Sequence, residues 1–178
     1  MGDADQLYEQ LLVVRAQTGD EAAFAELVAR YQPRLAYFVR RLVGDAHAAD
    51  DVLQNVWLQA YTRLGQLRDA RALVVWLYRI ARNAVLAALR RERGWEELTA
   101  EPAAPEGSDE AGEFSAADAE RIHAALGRLH PEHRAVLVLR FVENMTYEQI
   151  ADVVGCPVGT VRSRIHYAKQ ALRQDMGG

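Results

Sequence analysis

The last third of the chain carries side chains that are suited to hydrogen bonding with DNA. Hydroxyl groups and basic groups recur there at helical spacing, in a segment whose other positions are mostly apolar. Hydroxyl groups can bond base edges in the major groove, whereas guanidinium and ammonium groups bind phosphates or guanine. The residues of this kind are Thr160, Arg162, Ser163, Arg164, Tyr167 and Lys169. The pattern predicts a helix that recognises nucleic acid.

The spacing of the apolar residues predicts how this helix is oriented. They recur at steps of three and four, so they share one face, which comprises Val158, Val161, Ile165, Ala168 and Leu172. Thr160, Ser163 and Tyr167 then fall on the opposite face, and the basic residues Arg162 and Arg164 lie on its two flanks, with Lys169 beside Arg162. The ordinary alternative is a solvated helix in a small bundle.

A second helix is predicted immediately before it. Thr146 and Gln149 have the spacing of a capping box at a helix start. Gly155 can supply a sharp turn, and Pro157 suits the first turn of a following helix. A short helix, a turn with glycine and a second helix form the order of a helix-turn-helix motif.

Residues 71–93 predict a second DNA-binding surface. This segment contains six arginines and one acidic residue, and helical spacing places four of the arginines on one face, with Asn83 between that face and the apolar one. The four are Arg79, Arg82, Arg90 and Arg93. Such a face beside aromatic residues suits a DNA backbone with unstacked bases. Two ordinary alternatives stay open: an arginine-rich face is often solvated surface, and aromatic residues such as Trp57, Trp76 and Tyr78 are more often core.

Acids and amides crowd the stretch just before this segment. They are Asp50, Asp51, Gln54 and Asn55, and their charge would repel DNA. We interpret them as a docking surface for a basic protein partner. The alternative is that acids near a helix start stabilise the helix macrodipole.

Helical periodicity throughout the chain predicts an all-α protein with two small domains. Residues 1–93 form the first, 94–115 an acidic flexible linker, and 116–178 a four-helix domain with the helix-turn-helix motif. In the first domain we predict a helix that starts with Leu7, Leu11, Leu12 and Val14, and a second one capped by Asp20. A third runs from Arg34 to Val43, with Pro33 suited to its first turn and Gly44 ending it. A fourth over 47–64 is capped by Asp45, and a loop at 65–72 leads to a fifth over 73–93. Predicted inward residues are Val52, Leu53, Val56, Trp57 and Ala60 in the fourth helix, and Leu73, Trp76, Leu77, Ile80, Ala84 and Ala87 in the fifth. In the second domain we predict helices at about 117–129, 131–143, 146–154 and 158–175.

Composition excludes several classes of protein. The net charge of −4 is concentrated in residues 94–120, which carry nine acidic residues and no Lys or Arg, so both flanking parts are mildly basic. A single cysteine, Cys156, excludes an internal disulfide and a multi-cysteine metal site, and the pair His130 and His133 lacks further ligands. We expect no cofactor and no metal. The polar N-terminus and the absence of a long uncharged apolar run predict a cytoplasmic protein without membrane insertion.

These segments together resemble the extracytoplasmic-function (ECF) group of bacterial σ factors, over nearly the whole chain. The resemblance is carried by GDEAAFAELVARYQPRL near the N-terminus, GDAHAADDVLQNVWL, WLYRIARN at 76–83, and RAVLVLRFVENMTYEQIADVVGCPVGTVRSRI. It implies a two-domain σ factor that binds core RNA polymerase and directs promoter-specific initiation through −10 and −35 elements. It also implies that the protein assists DNA melting and is held inactive by an anti-σ factor.

The resemblance implies roles for matched positions. Asp50, Asp51, Gln54 and Asn55 would dock on the β′ clamp helices, and the C-terminal domain would contact the β flap. The loop from Arg63 to Ala72, with Arg68 and Arg71, would accept a base flipped from the −10 element. Melted or upstream −10 DNA would be contacted by Arg79, Arg82, Asn83, Arg90 and Arg91. The −35 element would be contacted by Thr160, Val161, Arg162, Ser163, Arg164, Tyr167 and Lys169.

The predicted linker must stretch to serve both elements. Elements about 17 base pairs apart are separated by roughly 58 Å. The 22 residues of 94–115 reach roughly 73 Å when extended, but span about 26 Å when relaxed. We therefore expect the linker to be extended in an initiating complex, with its acids in a basic channel.

Three positions depart from the family pattern, and two other classes of function are weighed beside it. Ala87 replaces a frequent Asp, His130 is inserted before Pro131 where Leu-Pro is usual, and Tyr167 replaces an Arg. A helix-turn-helix regulator with an N-terminal sensor domain would need an effector pocket or phosphoacceptor, for which residues 1–93 show no pattern. An enzyme would need a catalytic constellation, and we find none.

Overall fold

The computed structural model describes residues 3–93 and 126–177, and within these ranges the chain is helical without β-strands. The helices are α1 (Asp3–Gln17), α2 (Glu21–Val43), α3 (Ala46–Arg63), α4 (Leu73–Arg93), α5 (Pro131–Leu137), α6 (Tyr147–Val154) and α7 (Val158–Gly177). Two 3₁₀ turns, Leu64–Gln66 and Ala70–Ala72, link α3 to α4, and a π-helical turn, Val138–Val142, follows α5. The all-α prediction is confirmed. The predicted linker at 94–115 and most of the predicted helix at 117–129 lie outside the described residues.

Helix α2 continues through the position at which the sequence predicted a break. Its caps are the predicted ones: Asp20 accepts a bond from Ala23 N, and Gly44 adopts φ +83° at the C-terminus. Pro33, however, lies inside the helix, so the prediction of two helices was wrong. Pro33 and Ala29, whose carbonyl loses its helical partner, are both exposed, so water can bond that carbonyl. Buried residues on both sides of Pro33, such as Tyr31 and Leu35, keep the helix continuous.

Helices α2, α3 and α4 pack around one another, with α1 against α2. The prediction of α3 and its Asp45 cap is confirmed, and its predicted inward residues are buried, except that Trp57 is half-buried. Helix α4 has the predicted bounds and buries its predicted apolar face, except that Ala87 is exposed. Residues Ala70–Arg91 are long and apolar enough to span a membrane, since an 18-residue window within them has a mean hydropathy of 1.5, but 61% of that window is buried inside the protein. The core of the fold accounts for this apolar character.

The C-terminal helices follow the predicted order with one difference. The sequence predicted a single helix over 131–143, but α5 ends at Leu137 and the next five residues form a π-helical turn. His130 caps α5, because its Nδ1 accepts a bond from Glu132 N at 3.4 Å, and Pro131 occupies the first turn. Although His130 departs from the family pattern, it therefore still caps the start of a helix.

The N-terminal and C-terminal parts share one apolar core. A single cluster of buried side chains runs from α1 to α4 and continues through Val136, Leu139, Ile150 and Val161. Helix α6 packs on α4, and α5 on α2. Glu143, which follows the π turn, accepts a bond from Arg34 Nε in α2 at 2.8 Å. The division into domains at 93 and 116 stays a prediction, and in this structure the two parts are closed against each other.

Candidate nucleic-acid interface

The helix-turn-helix is formed by α6 and α7 as the sequence predicts. The Thr146 hydroxyl accepts from Gln149 N at 3.2 Å, and the Gln149 side chain accepts from Thr146 N at 2.9 Å, which completes the capping box. Gly155 has φ +69°, a left-handed conformation in which a side chain would be strained. Its amide bonds Ala151 O at 2.8 Å and closes α6. The turn fixes the direction in which α7 leaves.

Fewer of the side chains predicted to contact DNA reach solvent on helix α7 than the sequence suggests. Arg162 is exposed, with its guanidinium 5.8 Å from the centre of the Tyr147 ring, and Thr160 and Tyr167 are half-exposed. Val161 is fully buried in the shared core, so its side chain does not reach solvent in this arrangement. Ser163 is also buried, at 3% exposure, and its hydroxyl donates to Gly159 O at 3.1 Å. A short side chain that bonds its own helix does not reach outward.

Two predicted phosphate contacts, Arg164 and Lys169, are buried rather than exposed. Arg164 is 8% exposed, and its Nη2 lies 2.9 Å from Oε2 of Glu132 in α5. Lys169 is 6% exposed, and its ammonium lies 5.0 Å from the centre of the Phe141 ring. The flanks of α7 are covered because α5 and the π turn pack beside it, which helical spacing alone does not reveal.

Helix α4 presents a largely open basic face. Arg79, Asn83, Arg90 and Arg91 are exposed. Arg82 is the exception, because its side chain is 13% exposed and donates to Glu132 Oε1 at 2.8 Å. The structure does not describe the side chain of Arg93. Trp76 and Tyr78 are buried in the core, so the ordinary interpretation holds for these two aromatic residues.

The loop between α3 and α4 is held by hydrogen bonds from α1, a helix to which sequence analysis assigned no function. Arg68 and Arg71 are exposed on this loop, and Asp69 pairs with Arg71 at 3.0 Å. The arginine holds the pKa of the Asp69 carboxyl below its usual range. Gln17, at the end of α1, donates to Leu64 O at 3.0 Å and to Leu67 O at 2.8 Å. Sequence analysis missed Gln17, because no local pattern links it to carbonyls about fifty positions away.

The predicted docking residues share one exposed face of α3. Asp50, Asp51, Gln54 and Asn55 all reach solvent, and Asp50 pairs with Arg40 at 3.1 Å. The same face continues into two large apolar side chains that sequence analysis did not select, Leu58 at 63% and Tyr61 at 57% exposure. Leu58 could have been found, because it lies outside the predicted inward set of α3. Acids next to exposed apolar groups suit a protein partner.

A shallow groove lies between α3 and α4. Asp51 and Asn55 line it on one side, and Ala87 and Arg91 on the other, around a volume of about 240 Å³. The exposure of Ala87, which the sequence placed inward, follows from this groove.

The described residues contain no group of three His, Cys, Asp or Glu side chains that could hold a metal ion. His130 and His133 lie with ring centres 6.2 Å apart, in an edge-to-face arrangement. Cys156 follows the Gly155 turn, and partial burial raises the pKa of its thiol. Burial therefore disfavours the thiolate that a reactive cysteine needs.

Two families match most of the chain. The family described as Sigma-70 region 2 matches residues 27–95, and Sigma-70 region 4 matches residues 119–172. Among curated proteins, the RNA polymerase sigma-H factor of Pseudomonas aeruginosa is 38% identical, covering 94% of this chain and 93% of its own length. The ECF RNA polymerase sigma-E factor of Escherichia coli is 35% identical, with 95% and 94% covered.

Two solved structures are similar over the greater part of the chain. CnrH in complex with the cytosolic domain of CnrY gives a TM-score of 0.71 at 28% identity, covering 95% of this chain and 97% of that one. The sigma factor RpoE in complex with the anti-sigma factor NepR from Bartonella quintana gives 0.66 at 22% identity, covering 86% and 96%. The second likeness concerns the fold.

Proposed function

This chain belongs to the ECF group of RNA polymerase σ factors, and from that premise we propose which of its surfaces contact polymerase and promoter. As an alternative σ factor it directs promoter-specific transcription. Core RNA polymerase and DNA are its partners. The observation that carries the site proposal is that the exposed face of α3 is acidic, whereas the exposed faces of α4 and α7 carry arginines.

Helix α4 and the loop before it serve the −10 element in this proposal. The exposed groups Arg79, Asn83 and Arg90 form a cationic surface suited to phosphates of a partly melted duplex. Arg68 and Arg71 on the loop lie where an unstacked base would enter. Gln17 is a positioning residue, because it fixes the loop carbonyls without contacting DNA. The same surface assists melting by favouring the separated strand.

Helix α7 serves the −35 element in the major groove. Arg162 and Thr160 are the accessible groups in the closed structure, and Tyr167 is partly accessible. Arg164 and Lys169 become available only when the groups that cover them, Glu132 and Phe141, give way to DNA. Ser163 bonds its own helix and is left out of this set of contacts. Val161 is assigned to the core instead.

The α3 face docks on polymerase, through Asp51, Gln54 and Asn55 together with Leu58. An apolar side chain surrounded by acids and amides can bury area while the charges select a basic surface such as the β′ clamp helices. On the C-terminal part, Phe141 and Val142 are about half exposed, and we assign them to the β flap contact.

The test is transcription in vitro with core polymerase that lacks any σ factor, on fragmented genomic DNA, with RNA 5′ ends mapped. Discrete start sites that share sequence at two spaced upstream positions are expected. Arg162→Ala should reduce promoter-specific initiation about tenfold while core binding stays intact. Asp51→Ala with Leu58→Ala should weaken core binding instead. If both variants behave like wild type in both assays, the site assignments are wrong.

Regulation by an anti-σ factor and a cytoplasmic location also belong to this proposal. Support comes from the two similar structures: CnrH is in complex with the cytosolic domain of CnrY, and the sigma factor RpoE is in complex with the anti-sigma factor NepR. The chain itself is not an enzyme in this view; polymerase supplies catalysis. Cross-linking in growing cells tests the point: a stoichiometric protein partner other than polymerase is expected, and recovery of polymerase alone would contradict it.

A further inference from the structure

One buried carboxylate connects the two helices that are assigned to DNA. Glu132, in the first turn of α5, has a side chain that is 3% exposed. Its Oε1 accepts from Arg82 of α4 at 2.8 Å, and its Oε2 lies 2.9 Å from Nη2 of Arg164 of α7. The two arginine side chains are 13% and 10% exposed. One carboxylate therefore neutralises an arginine from each DNA-contacting helix.

The contacts that Glu132 makes are those that DNA would make. A guanidinium binds a carboxylate and a phosphate through the same charge-assisted bonds, so an arginine bound to Glu132 is not available to a phosphate. The cluster is also incompletely satisfied, because Nη1 of Arg164 and Oε2 of Glu132 are both buried without a hydrogen-bond partner among the described residues. Glu132 and Arg164 are therefore held as an ion pair at 2.9 Å without hydrogen-bond geometry. An unsatisfied buried donor is costly, so a phosphate that served Arg164 fully would compete well.

While the cluster is intact, its geometry prevents Arg82 and Arg164 from contacting the two promoter elements at the same time. The two arginines lie on either side of one carboxylate, whereas elements about 17 base pairs apart are separated by roughly 58 Å. We propose that Glu132 is an intramolecular competitor of promoter DNA, which occupies Arg82 and Arg164 in the free protein. It loses Arg82 when the two parts separate on polymerase, and it then yields Arg164 to DNA. This inference rests on the proposed function, because it takes both arginines to be DNA contacts.

Separation of the two parts weakens the cluster in two steps. Arg82 leaves with α4, because it belongs to the N-terminal part. Glu132 and Arg164 both belong to the C-terminal part, so their pair survives separation but loses its second cation and its cover. Water then screens the remaining pair, and DNA can displace Glu132.

A matched control exists at the same interface. Glu143 also bridges the two parts, through Arg34, and its side chain is 2% exposed. Arg34 is not assigned to DNA. Replacing Glu143 therefore weakens closure without removing the competitor from Arg164.

The experiment measures binding of the full chain, without polymerase, to a −35 duplex that the mapped promoters define. Glu132→Gln should tighten binding about tenfold, the equivalent of releasing one charge-assisted bond, and Glu143→Gln should change it less than about twofold. Equal tightening by both variants would mean that general opening, and not Glu132, controls binding. No tightening by a folded Glu132→Gln protein, judged by circular dichroism, would also overturn the proposal.

A measurement on the wild-type protein covers the case in which Glu132→Gln does not fold. Phenylglyoxal modifies accessible arginines, and mass spectrometry locates the sites. In the free protein Arg82 and Arg164 should react at least about tenfold more slowly than the exposed Arg162, and the difference should shrink in the complex with core polymerase. Equal reactivity of all three in the free protein would refute the cluster as a competitor.

Failure of this inference is distinguishable from failure of the proposed function. If the arginines contact DNA but Glu132 does not compete, Arg82→Ala and Arg164→Ala reduce initiation by the holoenzyme while Glu132→Gln leaves DNA binding unchanged. If the site proposal itself is wrong, the two arginine variants initiate normally with polymerase.

Discussion

Helices α4 and α7 carry similar sets of polar and basic residues, but they present them differently. On α4, Arg79, Asn83 and Arg90 are exposed, and Arg82 alone among the described predicted contacts of this helix is largely covered. On α7, Arg162 is exposed, whereas Arg164 is buried. The difference arises because α4 is a core helix whose outer face points to solvent, while α7 has α5 beside it. Composition therefore does not tell which of the two proposed DNA-contacting surfaces is exposed in the free protein.

The largest expected effect comes from removing the open face of α4. Arg79→Ala combined with Asn83→Ala should reduce open-complex formation by the holoenzyme about 100-fold, since two bonds to DNA are lost. The loss of one bond in Arg162→Ala should cost about tenfold in the same assay. Permanganate footprinting of melted thymines measures both. A larger effect from α7 than from α4 would reverse the comparison.

A smaller effect is expected at the loop that precedes α4. Gln17→Glu keeps the size of the side chain but places an acceptor against the carbonyls of Leu64 and Leu67, so the loop loses its fastening. Affinity for a single-stranded −10 oligonucleotide should fall about fivefold, and the base preference should weaken. Binding of the −35 duplex should stay unchanged. Gln6→Glu, exposed on the same helix, is the control for added charge; an equal effect there would refute the positioning role.

Cys156 reports on closure at the start of α7. Burial raises the pKa of its thiol, so at pH 8 the folded protein holds less thiolate than the unfolded chain. Iodoacetamide should therefore react at least about threefold more slowly with the native protein than with the urea-unfolded one. Core polymerase should accelerate the reaction if closure is relieved. A native rate equal to the unfolded rate would argue against a covered turn.

The smallest expected effect is a difference in the pH dependence of stability between two helix caps, Asp20 of α2 and Thr146 of α6. The hydrogen bond from the Ala23 amide is the main reason that the pKa of the Asp20 carboxyl lies below its ordinary 3.8, and the hydrogen bond from Arg15 is the second. A lowered pKa stabilises the fold above pH 3.8, and this contribution is lost as the pH falls through the folded value. Asp20→Asn should lower Tm slightly at pH 7 and leave it unchanged near pH 2. Thr146→Ser, at the neutral cap of α6, should show no such pH dependence in calorimetry.

Local signals predicted the helices and their ends well. The capping box of Thr146, the turn at Gly155 and the caps at Asp20 and Asp45 are all formed as predicted. Each depends on residues within a few positions of one another, so the sequence states it directly. The prediction at Pro33 was wrong because it also depended on a local preference. Proline favours a break in the helix, but the burial of residues on both sides, such as Tyr31 and Leu35, outweighs this preference.

The sequence by itself determined the helices, the family and the residue types on each face, because these depend on spacing along one chain. The tertiary structure decided which of those faces are open. That Val161 lies in the core, that Gln17 fixes a loop some fifty residues away, and that Glu132 joins Arg82 to Arg164 are consequences of packing between distant segments. Burial and ion pairing across an interface depend on which helices pack together, whereas helical periodicity describes only the faces of a single helix.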